Sequence, residues 1–466
     1  MNKIWSSRTH YGVSRLAKSL TMTWRCYQST DVYHTLLERG LIANSTSYLQ
    51  EHLQSPDRSA YAGIDPTAES LHVGNLVTIM TLLHLRRAGH IPYFVIGGST
   101  GLIGDPSGRL KERDPLSINT VTHNVQEIQC QISDLLHNDF NMWSDKDQLL
   151  FKQSRNFGDV ILNNATWYEN FNIVNFLSSV GRHFRMGAML SRDSVKQRLN
   201  SPEGMCLTEF FYQVFQAYDF QRMCAERNCH IQVGGSDQWG NIVAGCEFIH
   251  KVDGKRVHGL TVPLLTNASG EKLGKSLGNA IWLSRAKTSL YEFYQYFMRT
   301  EDADVEKFLK IFTFIPVNDI RNIVARHLEK PEERYGTKIL ANEVTRLVHG
   351  EDCMQEACDA TEVLYGNPNN LNNKSTNKLQ QILRDVPNIQ LKWDKSRNMA
   401  ELALNCGAVP SFNQGRKLIE SGGFYVNDTK ITDYKAKVES DIRRLDGRIT
   451  VVRTGKKNYR LIYWAD

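Results

Sequence analysis

Apolar and polar positions follow two different periods in the first part of the chain. Ser59–Ile64 is a short apolar run that predicts a strand, and a helical period then continues from a capping residue at Ser70 to about Ala88. Tyr93–Ile96 is a second short apolar run, and two glycines follow it. A strand, a helix and another strand in this order predict a parallel sheet.

The pattern changes along the rest of the chain. Residues 115–200 are mostly polar with a helical period, after which His230–Val233 predicts one more strand that ends at two glycines. Residues 285–365 carry a helical pattern throughout. An asparagine-rich stretch follows, and the segment after about 396 predicts two short helices, a strand and a closing hairpin around Gly455.

These patterns predict an α/β fold class: a Rossmann-like parallel-sheet domain, then a helical domain, then a small α+β module. The predicted segments are a leader at 1–30, the parallel-sheet domain at 31–284 with a helical insertion at about 115–200, the helical domain at 285–365, a linker at 366–395 and the module at 396–466. The glycine-rich strand ends lie where open α/β sheets bind ligands.

The composition of the chain indicates what kind of partner it binds. The 466-residue chain has no run of about 18 apolar residues, so we expect neither a transmembrane helix nor a membrane partner. The net charge of +6 is uneven, because residues 407–466 hold 12 basic and 7 acidic side chains whereas residues 31–406 are slightly acidic. A basic end favours a polyanion partner, although a solvated basic face has the same composition.

The first 30 residues have the composition of an organelle leader. They contain five basic residues, no acidic residue and many serines and threonines, and they lack the apolar core of a secretory signal. Leu16, Leu20 and Trp24 are four residues apart and would share one helix face. We predict a mitochondrial transit peptide and a place in the mitochondrial matrix; the alternative is an ordinary basic tail.

The cysteines do not indicate a disulfide-bonded or metal-binding fold. There are nine of them, an odd number, and none forms a CxxC pair. The pairs spaced by five residues, Cys224 with Cys229 and Cys353 with Cys358, lack a histidine partner pattern. We expect unpaired thiols and no metal held by the protein itself.

Two short segments carry side chains that fit phosphate chemistry. His72 and Asn75 lie three residues apart at a predicted helix start, where N–H groups and the helix dipole favour an anion. Lys272, Lys275 and Ser276 lie in a loop that fails the P-loop spacing but offers two cations to a leaving pyrophosphate. The simpler interpretations are a surface histidine and a solvated basic loop.

Two further features fit the wall of a ligand pocket. Tyr212, Gln216 and Asp219 are spaced i, i+4 and i+7 in a strongly helical pattern, so they share one helix face. Asp237 follows a strand and a glycine pair, where a carboxylate can bind a ribose hydroxyl. Taken alone, the first is equally a polar stripe on a surface helix and the second a capping aspartate.

In this order the features resemble the class I aminoacyl-tRNA synthetases, and in detail the tyrosyl-tRNA synthetases of bacterial and mitochondrial type. The segments that carry the resemblance are Tyr61–Thr67, His72–Asn75, Gly101–Gly108, Gln216–Asp219, Gly234–Asn241 and Lys272–Ser276. The likeness covers about residues 35–466, including a C-terminal module that is similar to RNA-binding modules of ribosomal proteins.

The resemblance implies a tyrosine slot that recognises both ends of the amino acid. By similarity, the phenolic hydroxyl is contacted by Tyr61 and Asp219, the ammonium group by Asp105, Tyr212 and Gln216, and the reacting carboxylate by Gln238. This family is itself a well-known example of rejecting phenylalanine without editing, because loss of the substrate hydroxyl leaves buried polar groups without a partner.

The resemblance also assigns residues to ATP, which it implies as a substrate accompanied by Mg2+. Those assigned to ATP binding are Asp65, His72, Asn75, Gly235, Asp237, Lys272, Lys275 and Ser276, and those assigned to catalysis are Thr67, His72, Arg109, Arg113, Lys272 and Lys275. Asn75 stands where the family signature has a second histidine, and Leu273–Gly274 replace the centre of its lysine loop.

The implied reaction is the ligation of tyrosine to tRNA(Tyr) for mitochondrial translation. The tyrosine carboxylate attacks the α-phosphate of ATP to give tyrosyl-adenylate and pyrophosphate, and the tyrosyl group then moves to the 3'-terminal adenosine of the tRNA. The helical domain would bind the anticodon, and the C-terminal module would contact RNA through Arg416, Lys417, Lys456 and Lys457. The family implies a homodimer.

Three other interpretations stay open on sequence alone. A tryptophanyl-tRNA synthetase would share the fold, although Tyr61 with Asp219 fits a phenol better. A non-catalytic RNA-binding relative would be favoured by loss of the histidine or the loop lysines, all of which are present. A simple nucleotidylyltransferase shares the histidine-bearing turn but does not need the C-terminal module.

Overall fold

The computed structural model describes residues 31–55, 58–109, 111–144, 157–169, 171–266, 280–365, 383–427, 429–438, 449–455 and 458–465. The predicted leader at 1–30 lies outside these residues. The chain forms two compact units: one contains residues up to Ala280 and Glu301–Gly336, and the other contains Ile281–Thr300 and Thr337–Asp466. None of the helices in the described ranges combines the length and the apolar character that a membrane crossing needs.

The first unit is built on a six-stranded sheet of order β1-β6-β5-β2-β3-β4. Its strands are β1 (Asn44–Ser45), β2 (Ser59–Ile64), β3 (Ile91–Ile96), β4 (Ile161–Asn163), β5 (Ile231–Gly235) and β6 (His258–Val262). All neighbours are parallel except β1, which pairs antiparallel with β6 at the edge. The chain builds β2 to β4 on one side and then returns to β5 beside β2, so the strand order reverses between β2 and β5.

Eighteen α-helices lie in the described residues. In chain order they are α1 (Val32–Glu38), α2 (Leu49–Leu53), α3 (Val73–Arg87), α4 (Thr100–Ile103), α5 (Ile118–Asn141), α6 (Ala165–Tyr168), α7 (Ile173–Ser179), α8 (Met186–Leu190), α9 (Asp193–Leu199), α10 (Leu207–Arg227), α11 (Trp239–Asp253), α12 (Leu290–Met298), α13 (Val305–Phe312), α14 (Val317–Glu329), α15 (Tyr335–His349), α16 (Glu351–Tyr365), α17 (Met399–Asn405) and α18 (Phe412–Glu420). The predicted strand Ser59–Ile64 and the long helix that carries Tyr212 are confirmed.

The start of α3 differs from the sequence prediction. The cap is His72 rather than Ser70: its Nδ1 accepts from the Asn75 N–H at 3.3 Å, and Asn75 Oδ1 accepts from the His72 N–H at 3.0 Å. Ser70 instead bonds Gln131 on α5 at 3.1 Å. The sequence pattern predicted Ser70 as the cap because serine caps helices more often than histidine does.

The predicted helical insertion at 115–200 contains a strand of the sheet. Strand β4 pairs in parallel with β3 over three residues, Phe94–Ile96 against Ile161–Asn163. Three residues are too few to show an alternating pattern, so the sequence carried no periodic signal for it.

The end of α3 is held by a buried cluster of charges. Asp139 on α5 is fully buried and accepts from Arg86 Nη1 at 2.9 Å and Arg87 Nη2 at 2.7 Å. Trp143 Nε1 donates to the same carboxylate at 3.2 Å. The Arg87 guanidinium also lies over the Phe314 ring, 3.5 Å from its centroid. One carboxylate thus compensates two arginines that would be costly to bury alone.

The predicted helical domain at 285–365 is divided between the two units. Helices α13 and α14 belong to the first unit, where Arg39 donates to the carbonyls of Lys310, Thr313 and Ile315 at 2.5 to 2.9 Å. Arg39 therefore satisfies backbone acceptors at the end of α13, which a helix leaves without partners. Helices α12 and α16 belong to the second unit.

The second unit contains a five-stranded sheet of order β7-β11-β10-β8-β9. Its strands are β7 (Asn388–Lys392), β8 (Phe424–Val426), β9 (Thr429–Ile431), β10 (Ile449–Thr454) and β11 (Asn458–Ala465). The predicted hairpin around Gly455 is confirmed by the pairing of β10 with β11. Strand β7 lies inside the predicted linker at 366–395 and pairs in parallel with β11.

The two faces of this sheet pack against different helices. This explains why the boundary of the unit differs from the predicted domain boundary. Val451 and Leu461 point to a core shared with Tyr291 of α12 and Val363 of α16. Their neighbours along the strands, Val452 and Ile462 among them, point to a core formed with α17 and α18. The sheet side chains alternate between these cores as a pleat requires. Helices α12 and α16, which were predicted as part of a separate domain, therefore form one of the cores of this unit together with the sheet.

We expect Asp139→Asn to lower the free energy of unfolding of the first unit by about 3–5 kcal/mol, because two buried guanidinium groups would lose their counter-charge. Urea unfolding followed by tryptophan fluorescence measures the change. Asp134→Asn, an exposed aspartate on the same helix, is the matched control and is expected to stay within about 0.5 kcal/mol. Equal effects of the two substitutions would contradict the role of the cluster.

Candidate active site

The carboxyl ends of β2, β3 and β5 bring three polar segments to one edge of the sheet. Asp65 follows β2, the glycine-rich loop 97–109 follows β3, and Asp237 follows β5. Helix α10 closes the side of the pocket, because the Tyr212 hydroxyl donates to Asp65 Oδ2 at 2.8 Å. The pocket lies where the strand order reverses, the place at which open α/β sheets bind ligands.

Glycines are required at two of these strand ends because the polar side chains come so close to the backbone. A Cβ on Gly97 would lie 2.3 Å from Asp65 Oδ1 and from Thr100 Oγ1. A Cβ on Gly235 would lie 2.5 Å from Asp237 Oδ1. Gly235, which the resemblance assigns to ATP binding, thus leaves room for the Asp237 carboxylate.

The deep end of the pocket is organised around the buried carboxylate of Asp219. Its Oδ1 accepts from Trp167 Nε1 at 2.8 Å and from the Tyr168 hydroxyl at 2.7 Å, and its Oδ2 accepts from Asn164 Nδ2 at 3.0 Å. A carboxylate has about four acceptor positions. Three are filled by protein donors, so one remains for a ligand.

Tyr61 faces the same carboxylate from β2. Its ring is 1% exposed, and its hydroxyl has no hydrogen-bond partner among the residues that the structure describes. Burial, together with the charge of Asp219, raises the pKa of the Tyr61 hydroxyl well above its usual range, so the hydroxyl stays protonated. An unpartnered buried hydroxyl costs free energy, and a ligand hydroxyl at this position would satisfy it.

The other end of the pocket presents further acceptors. Asp65 accepts from Thr100 Oγ1 at 2.8 Å as well as from Tyr212, so the Tyr212 oxygen has its own lone pairs left for a donor. Asp105 accepts from Gln238 Nε2 at 2.6 Å and from the Ser107 N–H at 3.0 Å. These acceptors suit an ammonium group.

Asn241 links three walls of the pocket. Its Nδ2 lies 3.0 Å from Gln216 Oε1, 3.3 Å from Ser107 Oγ and 3.4 Å from Gln238 Oε1. Asn241 is buried on α11, and the contact holds both glutamine side chains in a defined orientation. Its position one turn after Gln238 is the only signal of this role in the sequence.

Burial sets the charge state of the pocket carboxyls. It raises the pKa of Asp219 to about 6, against the hydrogen bonds from Trp167, Asn164 and Tyr168, which lower it. Burial also raises the pKa of Asp65 to about 6, with a further contribution from the charge of Asp105. Both groups are ionised at neutral pH and take up protons in mild acid.

Two arginines form the cationic side of the site. Burial and the neighbouring charge of Arg113 lower the pKa of the Arg109 guanidinium. The Nε and Nη1 atoms of Arg113 are buried, and among the described residues they have no hydrogen-bond partner. Two neighbouring guanidinium groups, one of them with unmet donors, fit an anionic ligand such as a phosphate.

The assigned His72, Asn75 and Thr67 lie on the segment between β2 and α3. Because His72 Nδ1 accepts from a backbone N–H, the neutral imidazole carries its proton on Nε2, a donor suited to a phosphate oxygen. Thr67 is exposed, and its N–H donates to the Asp65 carbonyl at 2.8 Å. Lys272, Lys275 and Ser276 lie outside the described residues, as do Lys456 and Lys457.

The structure adds residues that sequence reasoning missed. Asn164, Trp167 and Tyr168 follow β4, the strand that was too short to predict, and they reach Asp219 from about 50 residues away along the chain. The hydrogen-bond partners of Asp65, which the resemblance assigns to ATP binding, are Thr100 and Tyr212 among the described residues.

A group of three potential metal ligands has a structural explanation. Glu112, Cys206 and Glu209 are the one such group among the described residues, with donor atoms within 4.8 Å of one another. Cys206 caps α10 by accepting from the Glu209 N–H, and the Glu209 carboxylate pairs with Arg198 at 2.6 Å.

Known proteins share both parts of this architecture. A family model described as tRNA synthetases class I (W and Y) matches residues 54–366, and one described as tyrosine–tRNA ligase SYY-like C-terminal domain matches residues 378–462. The mitochondrial tyrosine–tRNA ligase of Drosophila melanogaster is 43% identical over 410 residues, which cover 87% of this chain and 88% of that protein. The chain belongs to the tyrosyl-tRNA synthetase family.

Other members of the tyrosyl-tRNA synthetase family agree with this placement. The tyrosine–tRNA ligase of Streptococcus pneumoniae serotype 19F (strain G54) is 43% identical over 430 residues, covering 92% of this chain and 98% of its own. The solved structure of a C-terminally truncated mitochondrial tyrosyl-tRNA synthetase from Aspergillus nidulans matches with a TM-score of 0.64 at 29% identity, covering 76% of this chain and 100% of that one. The predicted family and the α/β, Rossmann-like fold class are confirmed.

We expect kcat/KM for the amino acid to fall on acidification with an apparent pKa of about 6. Asp65 and Asp219 both have a pKa raised to about 6, so each loses its charge two pH units earlier than an exposed aspartate would. Initial rates of ATP–pyrophosphate exchange between pH 5 and 8.5 measure the profile, with circular dichroism at each pH as the control for folding. An acid limb centred near pH 4 would contradict these assignments.

Proposed function

We propose that the chain is a tyrosine–tRNA ligase that works in mitochondria, in the matrix. The observation that carries the substrate is the buried, unpartnered Tyr61 hydroxyl near the carboxylate of Asp219, which has one acceptor position left unfilled by the described donors. A phenol placed between them donates to Asp219 and accepts from Tyr61, which satisfies both. An indole N–H can donate but cannot accept, so tryptophan would leave Tyr61 unpartnered.

The amino acid would lie with its ammonium group at the opposite end of the slot. Asp105, the Tyr212 oxygen and Gln216 supply the acceptors there, and Asp65 holds Tyr212 in place. Gln238 lies beside Asp105 and would donate to the substrate carboxylate. The slot therefore fixes both ends of tyrosine before reaction.

ATP would enter as its Mg2+ complex, with its phosphates toward the cationic side of the site. Arg113 supplies unmet guanidinium donors with Arg109 beside it, and His72 and Thr67 lie at or just before the start of α3. Asn75 would contact ATP through an amide while its Oδ1 accepts from the His72 N–H. Gly235 and Asp237 match a ribose site at the end of β5, and Lys272, Lys275 and Ser276 would follow the leaving pyrophosphate.

The first step needs no side-chain base. The tyrosine carboxylate is already ionised and attacks the α-phosphate, forming a carboxyl–phosphate bond while the bond to pyrophosphate breaks with its electron pair on the leaving group. The protein contributes position and positive charge, which stabilise the charge that develops on the phosphates. The adenosine hydroxyl at the 3' end of the tRNA then attacks the tyrosyl carbonyl carbon and loses its proton, while the carboxyl–phosphate bond breaks and AMP leaves with the electron pair.

The second unit would supply contacts with tRNA(Tyr). Arg416 and Lys417 are exposed on α18, and the Arg416 guanidinium lies 5.2 Å from the Tyr434 ring centroid while pairing with Glu420. Exposed cations next to an aromatic ring suit a phosphate backbone with adjacent bases. We propose that this face, with Lys456 and Lys457, binds RNA, and that the helices of 285–365 contact the anticodon.

A second copy of the chain is the proposed occupant of an apolar patch on α7 and α8. Ile173, Val174 and Met186 are each more than half exposed, and Leu177 and Leu190 add to the patch. Several exposed apolar side chains on successive helices are typical of subunit interfaces. The homodimer that the family implies fits this surface.

We expect ATP–pyrophosphate exchange with tyrosine alone among the twenty amino acids, measured on protein without residues 1–30. His72→Asn should lower the exchange rate about 10²-fold, because it removes the imidazole donor to the phosphates while keeping a good helix cap. His72→Ala removes the cap as well and serves as the comparison. Exchange lost only in His72→Ala would assign the effect to the cap, and exchange with no amino acid would overturn the proposed function.

We expect the double substitution Arg416→Gln with Lys417→Gln to leave pyrophosphate exchange unchanged and to raise KM for tRNA several-fold in aminoacylation. Each lost phosphate contact should also reduce the dependence of log KM on log salt by about 0.7–0.9. Lys395→Gln, an exposed lysine in the segment before α17, is the matched control. An unchanged KM and salt slope would remove this face from the RNA interface.

A further inference from the structure

Tyr168 makes a contact for which the reaction chemistry has no direct use. It ends α6, and its hydroxyl lies 2.7 Å from Asp219 Oδ1 and 3.0 Å from the Phe215 carbonyl. The hydroxyl has one hydrogen for these two acceptors. A bond to an ionised carboxylate is shorter and stronger than one to a neutral carbonyl, so the hydrogen lies toward Asp219.

We propose that Tyr168 is a specificity-determining positioning residue, which fills one acceptor position of Asp219 so that the position left for the substrate phenol is on Oδ2. The inference rests on the proposed function and deepens it. Trp167 and Tyr168 together saturate Oδ1, while Oδ2 accepts only from Asn164 among the described donors. The substrate hydroxyl is thereby directed to one side of the carboxylate.

The ring of Tyr168 is placed by packing, independently of its hydroxyl. It lies 5.5 Å from the Phe215 ring centroid, 5.6 Å from that of Tyr218 and 6.4 Å from that of Phe176. A phenylalanine would fill the same position in this aromatic cluster. The hydroxyl is therefore not needed to hold the ring, and its removal isolates the bond to Asp219.

The surroundings keep Tyr168 a donor throughout the working pH range. Burial and the charge of Asp219 raise the pKa of its hydroxyl well above the usual range. The titratable groups that face Asp219 are Asp65 and the phenols of Tyr61, Tyr168, Tyr212 and Tyr218. Asp65 is the one charged group among them, and the phenols remain neutral.

The test is Tyr168→Phe, with Tyr218→Phe as the matched control in the same aromatic cluster. In Tyr168→Phe we expect KM for tyrosine in pyrophosphate exchange to rise about tenfold with kcat within twofold, since the phenol lies at the far end from the reacting carboxylate. We expect kcat/KM for phenylalanine to be unchanged, so discrimination between the two amino acids falls about tenfold. Tyr218→Phe should leave all three quantities as they are.

The pH profile separates positioning from a structural role. The Tyr168 hydrogen bond lowers the pKa of Asp219, so the acid limb of kcat/KM for tyrosine should move to higher pH in Tyr168→Phe and stay in place in Tyr218→Phe. A loss of thermal stability with KM, discrimination and acid limb all unchanged would overturn the inference. So would equal effects in the two variants.

The same experiment distinguishes this inference from the proposed function. If the unsubstituted protein exchanges with tyrosine and Tyr168→Phe behaves identically, only the role of Tyr168 is wrong. If the unsubstituted protein neither exchanges with tyrosine nor binds it in a calorimetric titration, the proposed function and the role of Tyr168 are both wrong.

Discussion

The structure of the site depends on keeping the Asp219 carboxylate ionised although it is buried among aromatic side chains. Burial raises the pKa of Asp219 to about 6, so its charge at neutral pH costs on the order of 3 kcal/mol relative to an exposed aspartate. The cost is present above about pH 6 and is relieved as the pH falls and the group takes up a proton. Three donors from the segment after β4 limit this cost, and that segment therefore has to lie against α10.

At the opposite end of the slot, carboxylates are again stabilised by hydroxyl and amide donors. Asp65 and Asp105 lie close enough for their charges to interact, and their hydrogen-bond partners include the hydroxyls and amides of Thr100, Tyr212 and Gln238. Such a site is preorganised for a ligand that brings its own positive charge. Under the proposed function tyrosine would do so with its ammonium group, and Arg109 and Arg113 would be left for the phosphates of ATP.

The scaffold that holds these groups is stabilised by arginines whose charges are met inside the protein. Arg86 and Arg87 share Asp139 at the end of α3, and Arg39 satisfies carbonyls at the end of α13. Helix α3 carries the His72 turn at its other end. The cluster thus anchors the helix whose first turn lies beside the strand ends, and it joins residues 301–336 to the same unit.

The sequence by itself determined the elements whose signals are local. The run Ser59–Ile64, the i, i+4, i+7 face of Tyr212, Gln216 and Asp219, and the glycines after the strands each follow from a period or a backbone constraint within about 20 residues. Only the tertiary structure decided that Tyr168 and Asn241 support that face, and that residues 285–365 divide between two cores. Those outcomes depend on which surfaces pack together, and an amphipathic helix or a three-residue strand shows that it has a buried face without showing what covers it.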